Sequence, residues 1–273
     1  MRRLLNVRPR GGVRIFLGAA PLVVALLLYL MASEARQAAN PADKFLPTFG
    51  EMATAVKLMA FEVNARTGEI PLVADTMASL ERLGYGLVIS TVLALVLGIV
   101  LGLLPLMRAG FGPLVAAIAV IPPIAVLPVL FIALGLGETA KIALIVIGIT
   151  PVMVRDLAAH VSAIPEEQLI KAQTLGASTW QIALRVTLPQ AMPRLLASLR
   201  LSLCPAWVYL ISAEAIASDV GLGYRIFLVR RYLSMDIIIP YVVWIALLAV
   251  ALDVLLSMIS KRGFAWAHTE RGE

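Results

Sequence analysis

The sequence predicts an all-α membrane protein with about six transmembrane helices, and three observations carry that expectation. Hydrophobic residues make up 60% of the 273-residue chain and charged residues only 15%, whereas soluble domains carry about 25% charged residues. Mean hydropathy is +0.92. The apolar residues also fall in runs long enough to cross about 30 Å of hydrocarbon at about 1.5 Å per helical residue.

In chain order the runs are Val13 to Ala32, Tyr85 to Leu104, Phe111 to Leu134, Thr139 to Val154, Pro193 to Ala213 and Ile237 to Ser260. The fourth is short and has Lys141 near one end, placed to snorkel to the interface. With six crossings, the basic clusters all fall on one side: Arg2, Arg3, Arg8, Arg10 and Arg14, then Arg108, then Arg155, Lys171 and Arg185, then Lys261 and Arg262. Positive charge marks the cytoplasmic face, so both termini are expected there. The opposite face receives a mixed-charge segment in which Asp43, Glu51, Glu62, Glu69, Asp75 and Glu81 outnumber the basic residues.

The expected organisation is a cytoplasmic tail (1–12), a first transmembrane helix (13–33), an extracytoplasmic segment (34–84), a five-helix core (85–260) holding a cytoplasmic loop (158–192), and a second tail (261–273). The first run follows several arginines and resembles a secretory signal. Its apolar stretch is long for one, and it reads as an uncleaved signal anchor.

Prolines interrupt several runs. Pro122, Pro123 and Pro128 lie in the third, Pro151 closes the fourth, and Pro205 interrupts the fifth. Each removes a backbone donor and frees a carbonyl that must find another partner or line a watery cavity. Simple packing kinks are the alternative.

Loop 158–192 has its own helical signals. Pro165 suits a first helical position, with Glu166 and Glu167 behind it where the helix dipole favours negative charge. Leu169, Ile170, Ala172 and Leu175 carry that helix to Gly176, which can take the left-handed conformation that ends it. Ser178 restarts the chain as an N-cap with Gln181 completing a capping box. Trp180, Ala183, Leu184 and Leu188 then form an apolar stripe, and Pro189 is expected to end the second helix. Two short helices joined by a tight turn result, with a stripe that must pack on its own spans or enter a groove in another protein.

These residues resemble the permease subunits of bacterial ABC importers, whose loop carries EAA, three residues, Gly, nine residues, Ile, one residue and Leu-Pro. Ala172, Gly176, Val186 in the Ile place, and Leu188 with Pro189 match at the right spacing, while Ile170 and Lys171 replace the motif's Glu and Ala. Glu166 and Glu167 stand one turn earlier, where they could substitute for the missing glutamate. The segments "DKFLP", "PVLFIALGLGETAKIALI", "TLGASTWQIALRVTLP" and "AEAIASDVGLGY" are similar to the nitrate, sulfonate, taurine and bicarbonate branch, over nearly the whole chain from about residue 40.

The resemblance implies a type I ABC importer permease fold acting as a homodimer in the bacterial inner membrane. It implies two partner ATPase subunits, a periplasmic substrate-binding protein, and a small anionic solute. The ATPase-coupling loop would present Glu166, Glu167, Ala172, Gly176, Trp180, Val186, Leu188 and Pro189. Pro122, Pro123, Glu214, Ser218 and Asp219 are the candidates for the pathway and its gate.

Other chemistries are weakly supported. No GxxxxGK[ST] occurs, so this chain has no P-loop, and ATP and Mg belong to the partner. "GLGE" and "GLGY" lack the third glycine of a dinucleotide fingerprint and read as turns. The lone His160, His268 and Cys204 suggest neither a metal nor an internal disulfide. The net charge of +6 and a rough fit of the loop to helix-turn-helix spacing could suggest nucleic acid, but the second helix offers mainly Gln181 and Arg185 and is tethered between spans.

Glu214 is expected to line an outer gate or to sit at the interface near Arg225 or Arg230. Asp253, at membrane depth, either pairs across the bundle or is protonated. Arg225, Arg230 and Arg231 lie against the positive-inside trend, to steer anions or to snorkel beside Tyr224 and Tyr232. An ion-coupled secondary transporter using Glu214 or Asp253 is the alternative function, although no internal repeat supports it.

Overall fold

The computed structural model describes residues 11–40, 44–64 and 68–267; Arg2, Arg3, Arg8, Arg10, His268 and the side chain of Arg14 lie outside them. Every regular element among the described residues is a helix. Among the described residues, five helices are long and apolar enough to cross a membrane, and a bent pair of shorter ones brings the number up to six. The chain divides into two compact units, residues 1–62 with 229–240, and residues 63–228 with 241–273.

In the first unit, α1 (Gly11–Ala39) is followed by a return of the chain into α2 (Phe49–Phe61). Polar side chains of α1 hold that return. The Tyr29 hydroxyl donates to Pro47 O at 2.7 Å and the Ser33 hydroxyl to Leu46 O at 2.9 Å. Thr48 caps α2 in a reciprocal capping box with Glu51, satisfying donors that a helix start leaves open. The Thr48 N–H, then its hydroxyl, hold the Glu51 carboxyl below the usual carboxylate range.

The second unit is built on α3 (Pro71–Leu103) and α6 (Glu138–Ser162). Gly86, Ser90, Ala94, Gly98 and Gly102 are all buried and follow one another every four residues or so along one face of α3. Such a small-residue stripe lets backbones approach closely where lipid supplies no hydrophobic drive between helices. A methyl added at Gly86 would lie 2.7 Å from Ile145 Cγ2, and one at Gly98 would lie 2.8 Å from Leu157 Cβ. Gly102 faces Val161 in the same way. Residue numbers rise together on both helices, so α3 and α6 run parallel.

The helix that carries the second apolar run therefore begins well before the run itself. Positions 71–84, expected in the extracytoplasmic segment, are the first turns of α3. Asp75 and Arg82 are paired inside the protein while Glu81 is exposed, so low hydropathy here marks a polar face turned into the core.

The third run is not one helix. It is α4 (Pro105–Ile118) and α5 (Pro123–Leu134), bent by 93°. A residue before proline is driven from helical to extended backbone, and Ile121 and Pro122 both precede prolines. Pro122 accordingly has ψ of 115° and forms the N-cap of α5, with Pro123 its first residue.

Chain order continues through α7 (Glu166–Thr174), α8 (Thr179–Ile182), a π turn (Ala183–Thr187), α9 (Leu188–Ala217), α10 (Leu222–Arg230) and α11 (Met235–Gly263). Contrary to expectation, Pro189 does not end the second short helix. One apolar helical stretch extends from Thr179 to Ala217. The Leu188 N–H reaches back to Ala183 O, and this wider turn displaces the carbonyls with which a proline ring in a regular helix would clash.

Gly98→Ala is expected to destabilise the permease by about 1–3 kcal/mol, the usual cost of overpacking. Gly84→Ala, whose methyl meets nothing within 4 Å, should leave stability unchanged or slightly raised. Thermal unfolding of the two detergent-purified variants beside the wild type checks this.

Candidate functional site: a helical elbow and a buried ion-pair latch

Two constructions stand at opposite ends of the second unit. The first is the elbow between α6 and α9. Glu166 and Glu167 open α7 and are exposed, with Pro165 as N-cap. At its other end the Gly176 N–H donates to Gln173 O at 2.9 Å and the Ala177 N–H to Ala172 O at 3.0 Å. With Gly176 at φ of +81°, this is the paired bonding of a Schellman motif.

Ser178 then caps α8. Its N–H donates to Gln181 Oε1 at 2.8 Å and its hydroxyl accepts from the Gln181 N–H at 3.3 Å. Gln190 on α9 ties the two limbs together, its Nε2 donating to Gln168 Oε1 at 3.1 Å and to Val186 O at 2.9 Å. Local backbone bonds thus fix the bend without help from a large core.

The elbow's apolar residues are largely uncovered. Leu175 is 80% exposed and Trp180 is 71% exposed, and Ile170 and Leu184 are exposed as well. Ile182 is buried, and Val186 and Leu188 are half-buried. Pro189 is exposed.

At the opposite end lies a network of ionic groups that sequence reasoning did not assemble. Asp75, Ser79 and Arg82 sit on one face of α3, above the small-residue stripe, and all three are buried. Arg82 is the centre. Its Nη1 donates to Glu214 Oε1 at 2.7 Å and to Val220 O at 2.8 Å, while Nη2 and Nε make a two-pronged contact with Glu138. Lys141 also donates to Glu138, at 2.9 Å. Glu214 further accepts from the Ser79 hydroxyl and, at 2.8 Å, from the Gly223 N–H.

The segment Gly221–Leu222–Gly223 is held by its own amides. Its three N–H groups go in turn to Asp75, to the Ser79 oxygen and to Glu214, at 3.0, 2.9 and 2.8 Å. Asp75 in turn accepts from Arg225 Nε at 2.8 Å and from the Tyr241 hydroxyl at 3.1 Å. Gly221 has φ of +136°, and a methyl there would lie 2.6 Å from Glu214 Cδ, so only glycine fits. "GLGY" is thus a turn, as expected, and it closes over a buried carboxylate.

Several expectations change here. Glu214 is 0% exposed, and Arg82, not Arg225 or Arg230, pairs with it. Arg225 is engaged by Asp75 and is not free to steer anions. Asp253 pairs across the bundle with Arg200, two bonds of 2.8 Å. Ser218 keeps a buried hydroxyl with no hydrogen-bond partner among the described residues, and Asp219 is exposed. The sequence signal missed was the spacing Asp75, Ser79, Arg82, which places three polar side chains on one helical face.

Residues 87–264 match the family described as the binding-protein-dependent transport system inner membrane component. The chain belongs to that family. It is 33% identical over 189 residues to the taurine transport system permease protein TauC of Escherichia coli (strain K12), covering 69% of each chain. It is 27% identical over 186 residues to the nitrate import permease protein NrtB of Leptolyngbya laminosa, covering 68% of this chain and 66% of that one. A bicarbonate transport system permease protein, CmpB of Synechococcus elongatus (strain ATCC 33912 / PCC 7942 / FACHB-805), is 28% identical over 189 residues, with 68% of each covered.

Among solved structures the fold is similar to a chain of the MetNI methionine ABC transporter, with a TM-score of 0.62 at 22% identity, covering 70% of this chain and 95% of that one. The protein is thus the membrane permease of an ATP-driven importer with a type I importer fold. ATP hydrolysis belongs to a separate subunit.

Breaking a buried ion pair at one partner costs about 3–5 kcal/mol. Glu214→Gln in this permease should lose stability on that scale, and Asp219→Asn, at an exposed position, should stay within about 0.5 kcal/mol. Chemical or thermal unfolding of the purified variants reads the contrast.

Proposed function

We propose that the permease works as a homodimer with two ATPase subunits and a periplasmic binding protein, and that it imports a small anion or zwitterion such as a sulfonate, nitrate or bicarbonate. The names of its relatives support that solute class. Both termini and the elbow face the cytoplasm in this reading, with Arg108, Arg155, Lys171, Arg185, Lys261 and Arg262 on the same side.

The observation that carries the proposal is the elbow. A bend fixed by its own caps, with Leu175 and Trp180 uncovered, suits insertion into a cleft of the ATPase. Glu166, Glu167, Ala172, Gly176, Trp180, Val186, Leu188 and Pro189 form the coupling surface and the bend that presents it. ATP-driven closure of the ATPases would then shift the permease between two arrangements, by differential affinity for each. The 93° break at Pro122 and Pro123 is the hinge candidate on the pathway, and Ser218 and Asp219 border its outer mouth.

Trp180→Ala and Gly176→Val should each reduce co-purification of the ATPase and lower uptake at least tenfold while the permease still reaches the membrane. Full retention of the ATPase and of uptake in both variants would sink the proposal.

The secondary-transporter alternative needs a carboxylate free to titrate, yet Glu214 and Asp253 each bind an arginine. Asp253→Asn, in a pair that is more than a third exposed, should cost less than about 1 kcal/mol. Uptake by that variant should continue to require ATP and survive a protonophore. Cargo identity is read from the ligand that raises the melting temperature of the binding protein.

A further inference from the structure

On the elbow side of the second unit, a crevice of about 640 Å³ opens between α4 and the last turns of α6, with the end of α3 as its floor. Most of its wall is apolar, including Leu101, Val115 and Val152, but two guanidinium groups, Arg108 and Arg155, stand on it. Arg108 donates from Nε to Leu101 O at 3.0 Å and from Nη2 to Gly102 O, which caps the C-terminus of α3. Its Nη1 makes no hydrogen bond among the described residues. Arg155 is exposed and makes no hydrogen bond or ion pair among the described residues. The one carboxylate on the wall, Asp156, is already engaged by Arg194. The crevice therefore carries uncompensated positive charge above an apolar slot.

We propose that this crevice binds an anionic phospholipid, its phosphate on Arg155 and Arg108 and one acyl chain along Leu101, Val115 and Val152. Arginine matches phosphate geometry through two parallel N–H bonds, and basic pockets between spans on the positive face attract acidic headgroups. A small hydrated anion in transit would leave the apolar wall unused, whereas a phospholipid fills both halves. Helix α4 begins with Pro105 and carries no buried residue in the single chain, so one side of the slot is open for a chain to enter. The site depends on the arginines and the slot alone, and stands whatever solute is carried.

The test uses the whole transporter, permease with its ATPase, by native mass spectrometry in detergent. The lipids are phosphatidylglycerol and phosphatidylcholine with matched acyl chains, and inorganic phosphate is the free-anion probe. Saturable phosphatidylglycerol binding is expected, at least fivefold tighter than phosphatidylcholine. Arg155→Gln should weaken it about fivefold, the effect of one basic contact to an acidic headgroup. Gly112→Leu keeps both guanidiniums and puts its side chain into open space, the nearest atom to its Cβ being Arg108 Cγ at 3.8 Å. Filling the slot, it should weaken phosphatidylglycerol binding by a similar factor. Equal binding of both lipids, wild-type binding by Arg155→Gln, or displacement by millimolar phosphate with Gly112→Leu unaffected would each overturn the assignment, the last by making it a small-anion site.

Discussion

A cation buried at the end of an apolar bundle must be answered by carboxylates brought from elsewhere in the chain, and Arg82 imposes that condition on this permease. Left alone, a buried charge costs several kcal/mol even after relaxation. Arg82 is paired with Glu138 and Glu214, and the same network couples Lys141 to Glu138 and Arg225 to Asp75. Three acidic and three basic groups thus balance. Each is bound to a partner on a different helix or in the closing turn, apart from the short-range Glu138–Lys141 pair. The positions of α3, α6 and α9 at this end are therefore fixed by charge.

Close packing and ion pairing fix different coordinates of the same helices. The glycines of α3 set its distance from α6, because a methyl at Gly86 or Gly98 would overlap a side chain there. A small-residue stripe tolerates sliding, since its repeat recurs every turn. Ion pairs do not: one turn of slip is about 5.4 Å, more than any hydrogen bond in the latch could follow. Stripe and latch share one face of α3, so together they specify both separation and register. Arg194 with Asp156, and Arg200 with Asp253, add pairs from α9 to α6 and to α11, at more exposed positions where each contributes about 1 kcal/mol or less.

What the sequence made legible follows from the range of the interactions. Elbow caps were legible because Ser178 meets Gln181 three residues on, and Gly176 ends a helix by its own φ. Apolar runs were legible because bilayer thickness sets their length. The latch was hidden because Arg82 is 56 positions from Glu138 and 132 from Glu214, and hydropathy scores such residues as if they met water. That error also shortened α3 by the very turns that carry Asp75, Ser79 and Arg82. Pro189 misled for a related reason: a proline forbids a regular helical bond, but a π turn just before it supplies another geometry.

The two ends of the unit consequently differ in how they respond to a partner. At the latch, moving one helix alone would leave a buried charge unpaired, so α3, α6 and the closing Gly221–Gly223 segment favour moving together. At the elbow, the caps are local hydrogen bonds within a few residues of one another and survive any displacement of the elbow as a piece. Its apolar surface is free for a partner to cover. One helical stretch from Thr179 to Ala217 joins the two, carrying Trp180 near its start and Glu214 near its end. Under the proposed coupling, a pull on the exposed elbow would be transmitted along a helix whose far end is held by charge, and the compliance would lie where backbone bonds are already missing: the π turn, Pro193 and Pro205 in that helix, and the break between α4 and α5.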